Sequence, residues 1–505
     1  MAIPSTVLAA GWIPFVIVLV LVLLFSTVYI KYFMSKYDST VSSTLSSIVA
    51  LSVTLFTTAL VPDWANDSGT RQSMESSVSI AYYTLYGLIS FCLFILLPFV
   101  YFFYEEKDEE TSNKARCCSA FKFTLVFLIL AAVLFLIGAF VPKKSIPKTN
   151  STEWEKVKSL FSDLASNDGE DALSFIISVL SLIGMLALMT YTAYGMSAFP
   201  MGLIKGHSSA KKERMSVQSQ RSEVRDRISR IKDKYSGRNM SSRNRERVQD
   251  LEESERLMER REQHLTSKET SCLQKCLLIF RPFEVVFGVV FFLVTLLIFV
   301  SLLLTNIDKA IPGHSLGYKY GYALPHRTLP NPVDMVLVFC QEVFPLDYIM
   351  FSALVVYLVF CSISGVRNIG IWFFWLRMYK IRPRRTRPQG ILMMCMILMF
   401  IMLAVNIIIY ELTPQYSTFG SQQYLKCTTE SSSDDCVMTR MTLLLTRFFY
   451  KMWFFGAAYY WATWAFLGFM LIGFIVAVVK KRKSSIDGEV DEDDFDESDE
   501  ELIQA

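Results

Sequence analysis

The chain has 505 residues, of which 52% are hydrophobic, 14% aromatic and only 19% charged, with a formal net charge of +3 and a mean hydropathy of +0.36. That balance excludes an assembly of soluble domains, whose surfaces need far more charge, and describes an all-α polytopic membrane protein.

A bilayer core about 30 Å thick takes roughly 20 apolar residues of helix to cross. Nine segments meet that length, at Ala9–Ile30, Val41–Val61, Val78–Phe103, Phe121–Val141, Leu173–Phe199, Pro282–Leu304, Leu346–Val366, Ile391–Tyr410 and Trp453–Val479. The second is rich in Ser and Thr, whose hydroxyls point to helix–helix packing. The organisation that follows is 1–200 for helices one to five, 201–281 for a large polar loop, 282–480 for helices six to nine, and 481–505 for a tail.

Orientation follows from the Lys and Arg beside helix ends. None precedes the first helix, whereas Lys31 and Lys36 follow it, so the amino terminus is placed in the lumen and the first helix is read as a retained anchor. Lys480, Lys481, Arg482 and Lys483 after the last helix, and the run Arg377 to Arg387 after the seventh, place both of those ends in the cytosol. Lys143, Lys144 and Lys148 run against this orientation. Two acceptor sequons, at Asn66 and Asn150, fall in loops assigned to the lumen, where N-glycosylation is expected. A third, at Asn239, falls in the cytosolic loop and is expected to stay unmodified. Cys427 and Cys436 share a lumenal loop in which an oxidising compartment permits a disulfide, the other reading being two free thiols. The juxtamembrane Cys117, Cys118, Cys272 and Cys276 are candidates for palmitoylation.

The loop 201–281 is basic yet patterned as helix. Val217, Val224 and Ile231 recur every seven residues with Ile228 beside them, and Leu251, Met258 and Leu265 repeat the spacing. An antiparallel helical hairpin turning near Ser236–Asn239 is expected, with Glu255 and Glu262 at seam positions that a strong coiled coil fills with aliphatics. The net positive charge of the loop is read as a solvated face or as contact with anionic lipid headgroups. From Asp487 to Glu501 the tail turns acidic and is expected to be disordered. Its end, Leu502-Ile503 after acidic residues, is similar to a dileucine sorting signal, with Ser498 at the position where a phosphate would supply the missing charge.

Chemistry is conspicuous by what is missing. The sequence has no phosphate-binding loop, no metalloprotease helix, no nucleophile elbow and no paired-cysteine redox motif. Its four histidines, His207, His264, His314 and His326, are not spaced to bind a metal. No enzyme, no metal, no covalent cofactor and no nucleic-acid partner is expected. Ionisable or polar groups at membrane depth default to functional candidates. Glu342, Asp347 and Asn406 are the intramembrane candidates, with Glu284 near the start of the sixth helix close enough to its end to reach water. Glu342 belongs to an amphipathic run, Val333 to Phe344, read as re-entrant or interfacial. The segment from Ser364 to Arg382, with Trp372, Trp375, Arg377, Lys380 and Arg382, reads as interfacial, its rings at headgroup depth and its cations toward phosphate.

With these runs the chain resembles the LMBR-like membrane proteins, the family of the lipocalin-interacting membrane receptor. The resemblance rests on Met1–Ser5 through Lys36–Thr40, Pro98–Tyr101 with Tyr104–Asp108, Asn150–Lys158, the Ser364–Arg382 run and Ala462–Gly468, and it spans nearly the whole chain. It implies a nine-helix lysosomal glycoprotein that helps move cobalamin from lysosome to cytosol. In that reading cobalamin is the transported ligand. The implied partners are a half-size ABC transporter of subfamily D, escorted from the endoplasmic reticulum, and a cytosolic cobalamin-processing protein, with membrane lipid around the helices and a homodimer as an open assembly state. Two alternatives stay open: a cobalamin transporter in its own right, and a clathrin-linked endocytic adaptor or receptor for insulin receptor internalisation with a plasma-membrane pool. No tryptophan-containing adaptor signal occurs around Thr270–Leu278, and no Asp-x-His-x-x-Gly corrinoid motif is present.

Overall fold

The structure is a computed structural model that describes residues 5–35, 40–58, 80–81, 83–106, 113–140, 168–206, 210–235, 241–270, 272–318, 321–322, 324, 327–341, 343, 346–373, 376–419 and 453–480. Asn66, Asn150, Asn239, Glu342, Cys427, Cys436, Ser498, Leu502 and Ile503 lie outside them.

The described elements are, in chain order, α1 (Ser5–Phe33), α2 (Val41–Thr58), α3 (Tyr83–Glu105), α4 (Asn113–Phe140), α5, α6 (Ala210–Lys234), α7 (Ser242–Thr270), α8 (Cys272–Ala310), α9 (Pro332–Cys340) and α10 (Leu346–Ile369). A two-stranded antiparallel hairpin follows, β1 (Ile371–Phe373) with β2 (Leu376–Tyr379), and then α11 (Pro388–Leu412), α12 (Pro414–Phe419) and α13 (Trp453–Val479). Helix α5 joins Asp168–Ala187 to Ala193–Lys205 through one π-helical turn, Leu188–Thr192, and α3 contains another, Cys92–Leu96. Among the described residues eight helices, α1, α3, α4, α5, α8, α10, α11 and α13, are long and apolar enough to cross a membrane, and α2 supplies a shorter apolar helix over Val41–Thr57.

Two compact units make up the chain. The larger contains Met1–Ala198 and Leu293–Ile475, the smaller Phe199–Phe292 and Val476–Ala505. At the centre of the larger unit stands α11, 78% of whose spanning window is buried, packed against α2, α3, α5 and α10. Helices α1 and α4 are the opposite case, 17% and 11% buried, with Leu21, Leu24, Val126 and Ile129 outward. Apolar side chains exposed all along a helix are stable against lipid or a partner's apolar surface, not against water. Lipid tails are as apolar as leucine, so burial from water does not hold such helices together; close van der Waals packing and interhelical hydrogen bonds do.

Helix α2 shows this packing. Ser43, Ser47 and Thr54 are 0% exposed and Ser52 is 6% exposed, so its hydroxyls line the side packed on α1 and α11. Thr54 and Thr57 return their protons to the carbonyls of Ala50 and Val53, whereas the buried hydroxyls of Ser47 and Ser52 have no hydrogen-bond partner among the described residues. Three glycines serve the same end. A Cβ at Gly184 would overlap the carbonyl of Phe400 in α11, one at Gly195 the carbonyl of Cys361 in α10, and one at Gly365 the carbonyl of Tyr191 in the π turn. The paired hydroxyls of Thr192 and Ser362, 2.9 Å apart, close the same crossing.

The aromatic segment after α10 is a built hairpin. Gly370, at φ +82, ends the helix, its N–H returning to the Val366 carbonyl at 2.8 Å. Trp372, itself 46% exposed, donates its backbone N–H to the Tyr191 hydroxyl at 3.4 Å. The turn beyond it is stitched to α1, Arg384 N–H bonding the Tyr32 carbonyl and Ser35 N–H the Thr386 carbonyl, both at 3.0 Å.

In the smaller unit α6 and α7 pair antiparallel, as Glu213 with Arg261, Arg221 with Glu262 and Lys232 with Glu252 show. Val217 and Leu265 are buried with Met258 against them, and Ile228 and Val248 are buried further along. Glu255 and Glu262, expected as gaps in the seam, both lie within 3.9 Å of the Arg221 guanidinium. The hairpin therefore replaces aliphatic knobs with a half-buried ionic rung.

Candidate functional site

Several helix ends of the larger unit meet in a cluster of buried charges, on the side that the charge rule assigns to the lumen. Asp308 and Lys309 close α8, Glu411 closes α11, Asp347 opens α10, and Asp334 sits in the first turn of α9. Asp308, Asp334 and Asp347 are 1–2% exposed, and Glu411 is 8% exposed. Such burial is tolerable only when each charge finds a partner.

Glu411 lies 2.9 Å from the Lys309 ammonium through one oxygen and accepts the Thr463 hydroxyl at 3.0 Å through the other. The pair therefore ties α8, α11 and α13 together. Asp308 gathers the segment that follows its own helix: Thr328 donates its hydroxyl at 2.6 Å and its N–H at 3.1 Å, and the His314 ring nitrogen lies at 2.8 Å. Asn331 caps α9 and sends its amide to the Leu412 carbonyl at 2.7 Å, which satisfies an orphan acceptor at the end of α11. The Ser301 hydroxyl accepts the Val333 N–H at 3.1 Å. Asp334 accepts the N–H groups of Gln415 and Tyr416, both at 3.1 Å, so a carboxylate stands at the first turn of α12, where exposed amides favour negative charge.

Tyr416 then donates its hydroxyl to Asp347 at 3.3 Å, a long bond that places the second of the sequence candidates beside the cluster. Asn406, the third, is 5% exposed in the middle of α11 and belongs to the core. Glu284 belongs to the smaller unit, where it bonds Arg281 at 2.9 Å while the same guanidinium takes the carbonyls of Leu203 and Ile204 at the end of α5. Asp308, Lys309, Arg327, Asp334 and Glu411 were not legible as a site from sequence. Four of them lie at helix ends and Arg327 lies in the segment between α8 and α9, where a lone charge reaches water at little cost, and only the fold brings them together. The amide of Asn306, 0% exposed, has no hydrogen-bond partner among the described residues.

Arg327 points its guanidinium into the cluster with two long bonds, 3.4 Å to the Thr305 hydroxyl and 3.5 Å to the Glu411 carbonyl. Burial lowers its pKa, opposed by Asp334, Asp308 and Glu411, and a guanidinium stays charged throughout. The cavity it shares with Lys309, Tyr410, Glu411 and Tyr459 has a volume of about 80 Å³. Each water needs at least about 10–15 Å³ of such space, so several waters fit. Sites for drug-sized ligands run to about 300–1,000 Å³, so a corrinoid does not. The arrangement is a clamp on helix ends around a cavity of water size.

Burial pushes the Asp334 carboxyl up to about 6, against the two backbone N–H bonds and the Arg327 charge that pull it down. A carboxyl whose folded pKa exceeds its unfolded value of about 3.9 contributes stability fully below that lower value, and the contribution fades as pH rises through 6. The two-unit gap corresponds to about 3 kcal/mol. Purified protein is therefore expected to melt at higher temperature near pH 4 than near pH 7 as far as this group is concerned. Asp334→Asn should flatten that part of the profile, and an unchanged slope between pH 4 and 6 in the variant would show that another group carries it.

Spanning helices around an ion-paired polar cluster define a multi-pass α-helical membrane protein. The profile of the LMBR1-like membrane protein family matches residues 11–280, and the chain belongs to that family. It is similar to the probable lysosomal cobalamin transporter of Nematostella vectensis, at 46% identity with 100% of each chain covered. To the lysosomal cobalamin transport escort proteins of Gallus gallus and Homo sapiens it is 48% and 45% identical, with 87% of this chain and 84% and 87% of theirs covered. No solved structure matches.

Proposed function

We propose that this chain serves in the export of cobalamin from lysosome to cytosol, as a non-catalytic membrane escort for a half-size ABC transporter of subfamily D. Its place is the lysosomal membrane, reached through the endoplasmic reticulum with its client. What carries the reading is the match over most of both chains to relatives named as lysosomal cobalamin transport escort proteins. The sequence has no phosphate-binding loop, so in movement against a gradient a partner or an ion gradient supplies the energy, and a client that hydrolyses ATP fits the first case. A cytosolic cobalamin-processing protein receives the ligand.

In cells lacking their own relative of this chain, its expression is expected to restore the lysosomal position of the ABC partner and to return labelled cobalamin to the cytosol. Liposomes holding the purified chain alone are expected to move none. Flux in those liposomes would instead favour a carrier, the reading that the name of the Nematostella vectensis relative supports.

A further inference from the structure

Helix α6 remains basic after its seam is satisfied. It carries nine Lys and Arg against four Asp and Glu. Arg221 and Arg225 meet Glu255, Lys232 meets Glu252, and Arg227 meets Glu223 one turn away. Lys211, Lys212, Arg230 and Lys234 stay exposed and enter no ion pair among the described residues, and only Asp226 and Asp233 offset them on the same helix.

The same unit fixes where the chain leaves α13. The Lys205 ammonium, at the end of α5, donates to the carbonyls of Ala477, Val478 and Lys480 at 2.8, 2.6 and 2.8 Å. It fills the orphan acceptors of α13 with a cation, the favoured charge at a helix carboxyl end. Because α6 begins at Ala210, five residues after Lys205, no more than about 18 Å of chain separates Lys205, and with it the end of α13, from the foot of the basic helix. Soon after comes Asp487–Glu501, which has eleven Asp and Glu and no Lys or Arg. Fully extended, that stretch spans about 50 Å. The 25 residues of α6 rise about 37 Å, so the acidic stretch can follow the whole helix.

We propose that Asp487–Glu501 docks along the basic face of α6, so that this chain supplies the occupant of its own charged surface. Fixed exit point, sufficient reach and opposite charge together favour it over a separate partner, because a tethered segment binds at an effective concentration in the millimolar range. The contact is electrostatic and therefore short-ranged at physiological salt, where screening acts over about 8 Å. A phosphate on Ser498 adds negative charge and tightens it. Leu502 and Ile503 follow the docked stretch directly, so their availability to an adaptor depends on its release.

The test is energy transfer in the full chain, held in nanodiscs of neutral lipid, between dyes placed through unnatural amino acids at Ser219 on α6 and Gln504. Transfer is expected to fall at least two-fold between 50 mM and 1 M salt. A similar loss is expected in two variants: one combining Lys211→Glu, Lys212→Glu, Arg230→Glu and Lys234→Glu, and one combining Asp491→Asn, Glu492→Gln, Asp493→Asn and Asp494→Asn. The second variant leaves the hairpin untouched, so misfolding of α6 cannot imitate its effect. Transfer insensitive to salt and to both sets of changes overturns the proposal. So does transfer that responds to the α6 changes only in nanodiscs containing anionic lipid, since lipid would then be the occupant.

Discussion

Gly365→Ala is expected to lower the stability of the protein by about 3 kcal/mol, although alanine is the better helix former. Propensity alone favours alanine over glycine by about 1 kcal/mol within a helix. Against this, the new methyl overlaps the Tyr191 carbonyl, a backbone atom that cannot rotate away, and overpacking costs about 1–3 kcal/mol even where side chains can yield. Tyr191 belongs to the π turn of α5, which packs on α10 at this crossing, and its hydroxyl also receives the Trp372 N–H. Separation of the two helices therefore reaches the β1–β2 hairpin. Gly195→Ala, against the Cys361 carbonyl of α10, should behave alike. Gly87→Ala in α3, with nothing within 4 Å of the added atom, should be neutral or slightly stabilising. Thermal unfolding of the three purified variants decides the matter: equal melting temperatures for Gly365→Ala and Gly87→Ala would mean that α5 and α10 do not touch through their backbones.

Removing one member of the Lys309–Glu411 pair is the second large effect. Lys309→Met leaves the Glu411 carboxylate buried with the Thr463 hydroxyl as its remaining close partner, and breaking a buried pair in this way costs about 3–5 kcal/mol. Removing both charges costs far less, because the desolvation penalty of the ions disappears together with their attraction. The double variant Lys309→Met with Glu411→Leu is thus expected to regain most of the stability lost in the single one. A thermal-shift double-mutant cycle measures the coupling. If each charge could be removed alone at no cost, the two side chains would not be joined in the folded protein. A loss of cobalamin export that tracks melting temperature across the set would assign the clamp a structural role, as its small cavity implies.

The sequence by itself determined the class of protein and the place of its spanning segments, because a hydrocarbon layer imposes a length and an apolar composition that any helix crossing it must show. Eight of the described helices meet that demand, and the seven-residue recurrence from Val217 to Ile231 sufficed for the α6–α7 hairpin, since its buried stripe repeats locally. The hydroxyls of α2 announced packing without naming their neighbour, which the structure gives as α11 and α1. Tertiary structure alone decided the polar cluster. Asp308, Lys309, Arg327, Asp334 and Glu411 are spread over about a hundred residues, and each, at a helix end or in the segment between α8 and α9, can be read as reaching water. Whether a charge is solvated or locked to another depends on which helix ends face each other, and local sequence does not encode that. The same holds for Gly184, Gly195 and Gly365: a glycine in an apolar helix is unremarkable until another backbone is placed against it.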